Sequence, residues 1–254
     1  MTFAKPSNRS AGLTLIELLV VLVVLVALAG ILTPLLPAVL QQSHGASSAD
    51  NMKEIAKAVQ LFQTTNGGQY PNGWDALIDE TNALIATSTD LTYEDLGTPT
   101  TLTAAQADRV AEALVDAGIT TLREHDSATT NATFEPYTGA DIAITTGPTA
   151  GEVALLTAAG ATALNLEATG PNVVAYVVVG VGAQSTAVGR SMLEAPVHFL
   201  DGGENPVDEY ARFIAVFAVP VNGPTRLASV AAIDGGAVIG LGDHLNEFYE
   251  ANAN

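Results

Sequence analysis

The side chains able to do chemistry are few and widely spaced. Histidines occur at 44, 125, 198 and 244, and none lies in an HExxH or similar metal-binding pattern. Each reads as structural or exposed. Ser185 or Ser191 with His198 and Asp201 would supply the residue types of a hydrolytic triad. Neither serine sits in a Gly-x-Ser-x-Gly elbow, the turn that would present its hydroxyl to a base. Gly180-Val181-Gly182-Ala183-Gln184-Ser185 begins like a dinucleotide-binding turn but lacks the third glycine and a long helix after it, so a tight turn between strands accounts for it. The absence of cysteine excludes disulfides, thiolate metal sites and a cysteine nucleophile. No enzyme is expected from this set. Asp201, Glu204, Asp208 and Glu209, with Asn205 among them, gather hard oxygen ligands within nine residues. They suffice for calcium in principle, but the order is not that of an EF-hand and an acidic surface hairpin or loop is the simpler reading. No other cofactor is indicated.

One carboxylate is unusual by position. Glu17 lies in a run from Leu13 to Leu40 whose other polar members are Thr14 and Thr33. As a helix those 28 residues would span about 42 Å, more than the roughly 30 Å of a bilayer's hydrocarbon core. A carboxylate placed centrally in such a helix costs about 2.5–3.5 kcal/mol on insertion scales, and less near an end. Lys5 and Arg9 precede the run and the next base is Lys53, so the leader stays cytoplasmic and the remainder is exported. An ordinary secretory signal has its small-residue cleavage site after the apolar stretch. Here the small-residue step, Ala11-Gly12, comes before it. A cut between Gly12 and Leu13 would leave the anchor attached and give Leu13 an α-amino group. In a stack of identical subunits that cation can neutralise the Glu17 carboxylate of a neighbour and set the axial register.

The segment Gly12-Leu13-Thr14-Leu15-Ile16-Glu17-Leu18-Leu19-Val20 closely resembles the cleavage and methylation motif of type IV pilins and type II secretion pseudopilins. The resemblance implies cleavage after Gly12 by a prepilin peptidase, N-methylation of Leu13 by the same peptidase/methylase, and a role for Glu17 in assembly. Leucine at 13 departs from the more usual phenylalanine or methionine. Pro34 matches the place where many pilins carry a helix-breaking proline, and Pro37 removes another backbone donor, so a kink or local melting is expected near 30–37. Gly68-Gln69-Tyr70-Pro71 is similar to the turn after the long helix of major pseudopilins. The resemblance covers about residues 1–78. A plain single-pass anchor would need neither the glycine before the run nor the carboxylate within it.

These features organise the chain into a leader (1–12), a hydrophobic transmembrane and assembly helix (13–43), an amphipathic helix and turn (44–78) and a globular head (79–254). Ser43–Asp50 reads as a short break or flexible helix, with Asp50 able to cap the amphipathic helix at its start. Met52, Ile55, Val59 and Phe62 form one helical stripe that Gly67-Gly68 ends. Trp74, Leu77 and Ile78 suggest a short helix. Thr103-x-x-Gln106 is a capping-box pattern before a stripe of Ala107, Val110, Ala111 and Leu114, with Asp108, Glu112 and Asp116 as a solvated acidic ridge. Asp126–Thr149 reads as loops with a strand near Ile142–Thr145, and a small helix is expected from Thr149 to Ala159. Val173–Val181, Pro196–Leu200, Tyr210–Val219 and Leu227–Ile233 read as strands of a meandering antiparallel sheet. The expected class is α+β and pilin-like: a long N-terminal hydrophobic helix, a C-terminal antiparallel β-sheet head and additional short helices.

Composition limits the partners. The 254 residues carry 9 Lys plus Arg against 27 Asp plus Glu, a formal −18, which repels a phosphate backbone and excludes nucleic acid as a partner. Removal of the leader takes Lys5 and Arg9 with it and leaves −20. The expectation is a structural subunit of a type IV pilus-like or type II secretion pseudopilus filament, a pilin of fimbrium type. Its partners are further copies of itself, the prepilin peptidase/methylase, the inner-membrane assembly platform and the membrane. Before assembly it is a single-pass inner-membrane protein with its N-terminus cytoplasmic and its head in the periplasm or, in the filament, extracellular. The alternatives are a membrane-anchored extracytoplasmic binding or enzymatic domain, or a minor pilin that primes a filament.

Overall fold

The structure, a computed structural model, describes residues 15–32, 36–79, 84, 93–125, 141–144, 153–198 and 210–253. The chain divides into two compact units, Met1–Ser43 and His44–Asn254. The first contains α1 (Leu15–Leu32), built of Leu, Val, Ile and Ala except for Glu17 and Gly30. Pro34, and with it the expected break, lies outside the described residues. Pro37 is the second residue of α2 (Leu36–Thr65), a first-turn position where a missing amide removes no helix hydrogen bond.

From His44 onward α2 belongs to the second unit, and of the two readings of Ser43–Asp50, a short break or a stretch of helix, the structure has the helix. Asp50 lies inside α2 and approaches Lys53 one turn later at 3.5 Å. Gly45, Ser48 and Ala49 are buried and continue the stripe of Met52, Ile55, Val59 and Phe62. Packing of that stripe outweighs the weak helix propensity of Gly, Ser and Asp.

Among the described residues the head is built on a nine-stranded sheet. Its strands are β1 (Trp74–Asp79), β2 (Leu96–Gly97), β3 (Thr121–His125), β4 (Asp141–Ala143), β5 (Ala154–Leu156), β6 (Val173–Gly180), β7 (Ile214–Pro220), β8 (Arg226–Asp234) and β9 (Ala237–Gly240). The main order is β4-β3-β1-β6-β7-β8-β9, with β5 pairing both β2 and β6. The sheet is mixed and not purely antiparallel, because β1 and β3 pair in parallel. Between them the chain forms α3 (Ala104–Asp116), the long crossover a parallel pair requires. Trp74–Asp79 is thus a strand, not the short helix its apolar cluster suggested. It lies between β3 and β6, and Trp74 through Ile78 are all buried, so no alternation marks it as β.

The sheet has core on both faces. Ala175, Val177 and Val179 of β6 and Phe213, Ala215 and Phe217 at β7 join the stripes of α2 and α3. Tyr176, Val178, Ile214 and Val216 face a second cluster with Leu156 and Val238. Trp74 and Tyr70 meet Phe217 edge-on at 5.7 and 5.0 Å. The expected α3 forms with its full capping box: Thr103 and Gln106 exchange side-chain to backbone hydrogen bonds. The small helix expected at Thr149–Ala159 is instead β5 followed by α4 (Ala158–Ala163). Pro196–Leu200 supplies only a bridge from Val197 to Arg212 among its described residues. The C-terminus is not all β, since it closes with α5 (Leu241–Ala253).

Candidate functional site

α1 is apolar on every side. Its described Leu, Ile and Val side chains from Leu15 to Leu28 are all at least 50 % exposed, so no single stripe is set aside for a core. A helix of this kind needs lipid or other apolar helices around it. Among the described residues no helix is long and apolar enough to cross a membrane. The 18 residues of α1 reach about 27 Å, just short of the roughly 30 Å hydrocarbon core. Glu17 lies exposed in the first turn, where the partial positive charge of the unpaired helix amides favours a carboxylate. Gly12 and Leu13, the expected processing site, lie outside the described residues, as do Asp201, Glu204, Asp208 and Glu209, the expected calcium acids.

Of the residues that resemble triad members, the structure describes Ser185, Ser191 and His198. Ser185 and His198 are both buried, and their hydrogen-bond neighbours differ. Ser185 Oγ accepts from the Ala187 amide at 3.4 Å, whereas His198 Nδ1 lies 3.2 Å from Ser48 Oγ on α2. Ser191 is half-buried, and Asp201 lies outside the described residues. His198 also packs against His244 of α5, ring centroids 5.7 Å apart, and against Phe213 at 5.5 Å. Two histidines thereby join α2, the 190s segment and α5.

A second polar cluster carries no sequence motif. Asp75 in β1 is buried, and the Tyr210 hydroxyl donates to its Oδ2 at 2.8 Å. Arg123 stands in register beside it on β3, and Arg212, itself donating to the Ala195 carbonyl at 2.8 Å, adds a second nearby positive charge. Burial pushes the Asp75 carboxyl up to about 7, against the opposing pull of the Tyr210 hydrogen bond and the Arg212 and Arg123 charges. The glycines that imitate a nucleotide-binding turn serve this cluster. A Cβ at Gly182 would lie 2.0 Å from Asp75 Oδ1, and one at Gly180 would lie 2.1 Å from the Tyr210 oxygen. The one sequence signal for the cluster is an aspartate inside the apolar run Trp74–Ile78.

The family described as prokaryotic N-terminal methylation motif matches residues 7–33. The chain therefore carries the signature of type IV pilin and pseudopilin precursors, whose processing by a prepilin peptidase and N-terminal anchoring go with that motif. No curated protein and no solved structure matches the chain.

Proposed function

We propose that this protein is a structural subunit of a type IV pilus-like or type II secretion pseudopilus filament, cleaved after Gly12 and polymerised through its N-terminal helix. The observation that carries the reading is the methylation motif at residues 7–33, which contains α1, a helix apolar on all sides. Such a helix suits lipid before assembly and a bundle of identical helices after it. Cleavage gives Leu13 a cationic terminus, and the Glu17 carboxylate of a neighbouring copy is the charge that would meet it in that apolar bundle. Single-pass insertion with a periplasmic head, extraction by an inner-membrane assembly platform, and a head that remains outside the cytoplasm follow from the same reading.

Mass spectrometry of the mature N-terminus tests the processing step, with methylated Leu13 as the expected first residue. Glu17→Ala is expected to be processed normally yet to yield no filaments by electron microscopy. Native material recovered only as monomers that retain Met1 overturns the proposal.

A further inference from the structure

At one end of the β6-β7-β8 strip, Tyr176, Ala218 and Arg226 stand in register in one row. Residues directly opposite across antiparallel strands share a face, so the small Ala218 keeps two long side chains apart. Beside that row lies a pocket of about 300 Å³ whose polar lining is Glu167, Asn172, Asn222 and Arg226, with Pro220 and Val221 among its apolar members. Its size is at the lower end of ligand pockets, about 300–1,000 Å³, room for one ring and not for a chain. Both walls are held from behind. The Tyr176 hydroxyl donates to the Glu167 carbonyl at 2.8 Å, and the Asn172 side-chain amide donates to Glu167 Oε1 at 2.9 Å. The Val221 amide donates to the Asn172 carbonyl at 2.9 Å, and Arg109 of α3 donates to the Pro220 and Gly223 carbonyls, which bracket Asn222, at 3.4 and 2.8 Å. Glu167 therefore presents a carboxylate oriented before anything binds. Burial raises the Tyr176 pKa, with Arg226 opposing and Glu167 adding, which puts both charges near the same phenol. Yet the two form no ion pair, and the Arg226 guanidinium makes no hydrogen bond among the described residues.

The unit from His44 onward holds seven Lys and Arg against twenty-six Asp and Glu, a formal −19, which repels anions. Within the pocket, however, one carboxylate and one guanidinium cancel. The occupant these groups suit is neutral, and it both donates to the carboxylate and accepts from the guanidinium. A pair of adjacent hydroxyls does both, and the side-chain amides of Asn172 and Asn222 supply further hydrogen-bonding groups. We propose that Glu167, Asn172, Asn222 and Arg226 form a binding site for the neutral pyranose ring of a sugar. One hydroxyl donates to Glu167 Oε2 and its neighbour accepts from the Arg226 guanidinium, charge-assisted bonds to groups already placed. Asn222 reaches a third hydroxyl, and the C–H face of the ring lies on Pro220 and on Val221, which is 39 % exposed. The site goes beyond the filament reading and does not depend on it.

Saturation-transfer NMR on full-length protein, in a detergent without a sugar head group, tests the site with the methyl glycosides of glucose, galactose, mannose and N-acetylglucosamine. At least one glycoside is expected to receive saturation, most strongly at the C–H protons of one ring face. Arg226→Gln and Glu167→Gln are each expected to cut that transfer by about fivefold or more. Both side chains are exposed, so each variant should unfold in urea as the wild type does, and a lost signal then reports the site and not the fold. No transfer to any of the four glycosides overturns the proposal, as does transfer that both variants retain, which would place the sugar elsewhere on the molecule. Transfer to glycine or alanine but to none of the glycosides also overturns it, and assigns the two separated charges to a zwitterion. The outcome is the same whether or not the protein forms filaments.

Discussion

Asp75→Asn separates two physical accounts of the buried cluster. Asparagine keeps the shape and can still accept from the Tyr210 hydroxyl, but it carries no proton to titrate. In the folded protein the Asp75 carboxyl rises from 3.8 to about 7 because burial outweighs Tyr210, Arg212 and Arg123. A group whose folded value is raised contributes stability that is complete below its unfolded value, and that is lost as the pH climbs through its folded value. The wild type should therefore weaken from about pH 4 to about pH 7, and of that loss about 3 kcal/mol falls between pH 5 and pH 7, at about 1.4 kcal/mol per pH unit. Other titrating groups act alike in both proteins, so the stability difference isolates Asp75. The single tryptophan, Trp74, is fully buried beside it, and its fluorescence during urea unfolding at several pH values supplies the assay. The variant is expected to gain on the wild type as the pH rises. A difference independent of pH, or a wild type that gains on the variant, would show that Arg123 and Arg212 hold Asp75 ionised and would refute the reasoning.

Gly182→Ala forces a methyl group against the Asp75 carboxylate, which a Cβ would approach to 2.0 Å. It should lower stability by about 2 kcal/mol or more in the same urea assay, and unchanged unfolding would remove the close-packing account of that glycine. Thr103→Ala takes away the cap that accepts from the Gln106 amide and should cost about 1 kcal/mol, with hydrogen exchange faster in the first turn of α3. At a formal −20 after processing, filaments should persist longer in sodium chloride, whose screening length falls to about 10 Å at 0.1 M; equal lifetimes with and without salt contradict that. Chelation is expected to leave the melting temperature of the head unchanged. A fall on adding EGTA, reversed by calcium, would instead assign Asp201, Glu204, Asp208 and Glu209 to an ion.

What the order of residues determined was whatever depends on near neighbours. Lys5, Arg9, Gly12, the start of the apolar run and Glu17 are all within the first seventeen residues, a pattern short enough to be legible without any tertiary contact. Thr103 and Gln106 specify the start of α3 across a single turn, and the closed hydrogen bonds there follow from local geometry. Local signals failed where burial is two-sided. Trp74–Ile78 shows neither period because both faces of β1 are covered; at Ser43–Asp50, by contrast, burial of Gly45, Ser48 and Ala49 on one side chose the helix that propensity alone left undecided. α5 does carry a helical period, Leu241, Leu245 and Phe248 at spacings of four and three.

Only the tertiary structure could bring Asp75 to Tyr210, 135 residues away, or Ser48 to His198, 150 away. No short-range rule links such pairs: loop closure and sheet register decide which distant groups share a dry interior. There the energy of a carboxyl group depends on how much water is excluded and which charges remain. The same closure turned Gly180 and Gly182 from an apparent nucleotide-binding turn into the clearance two buried side chains require.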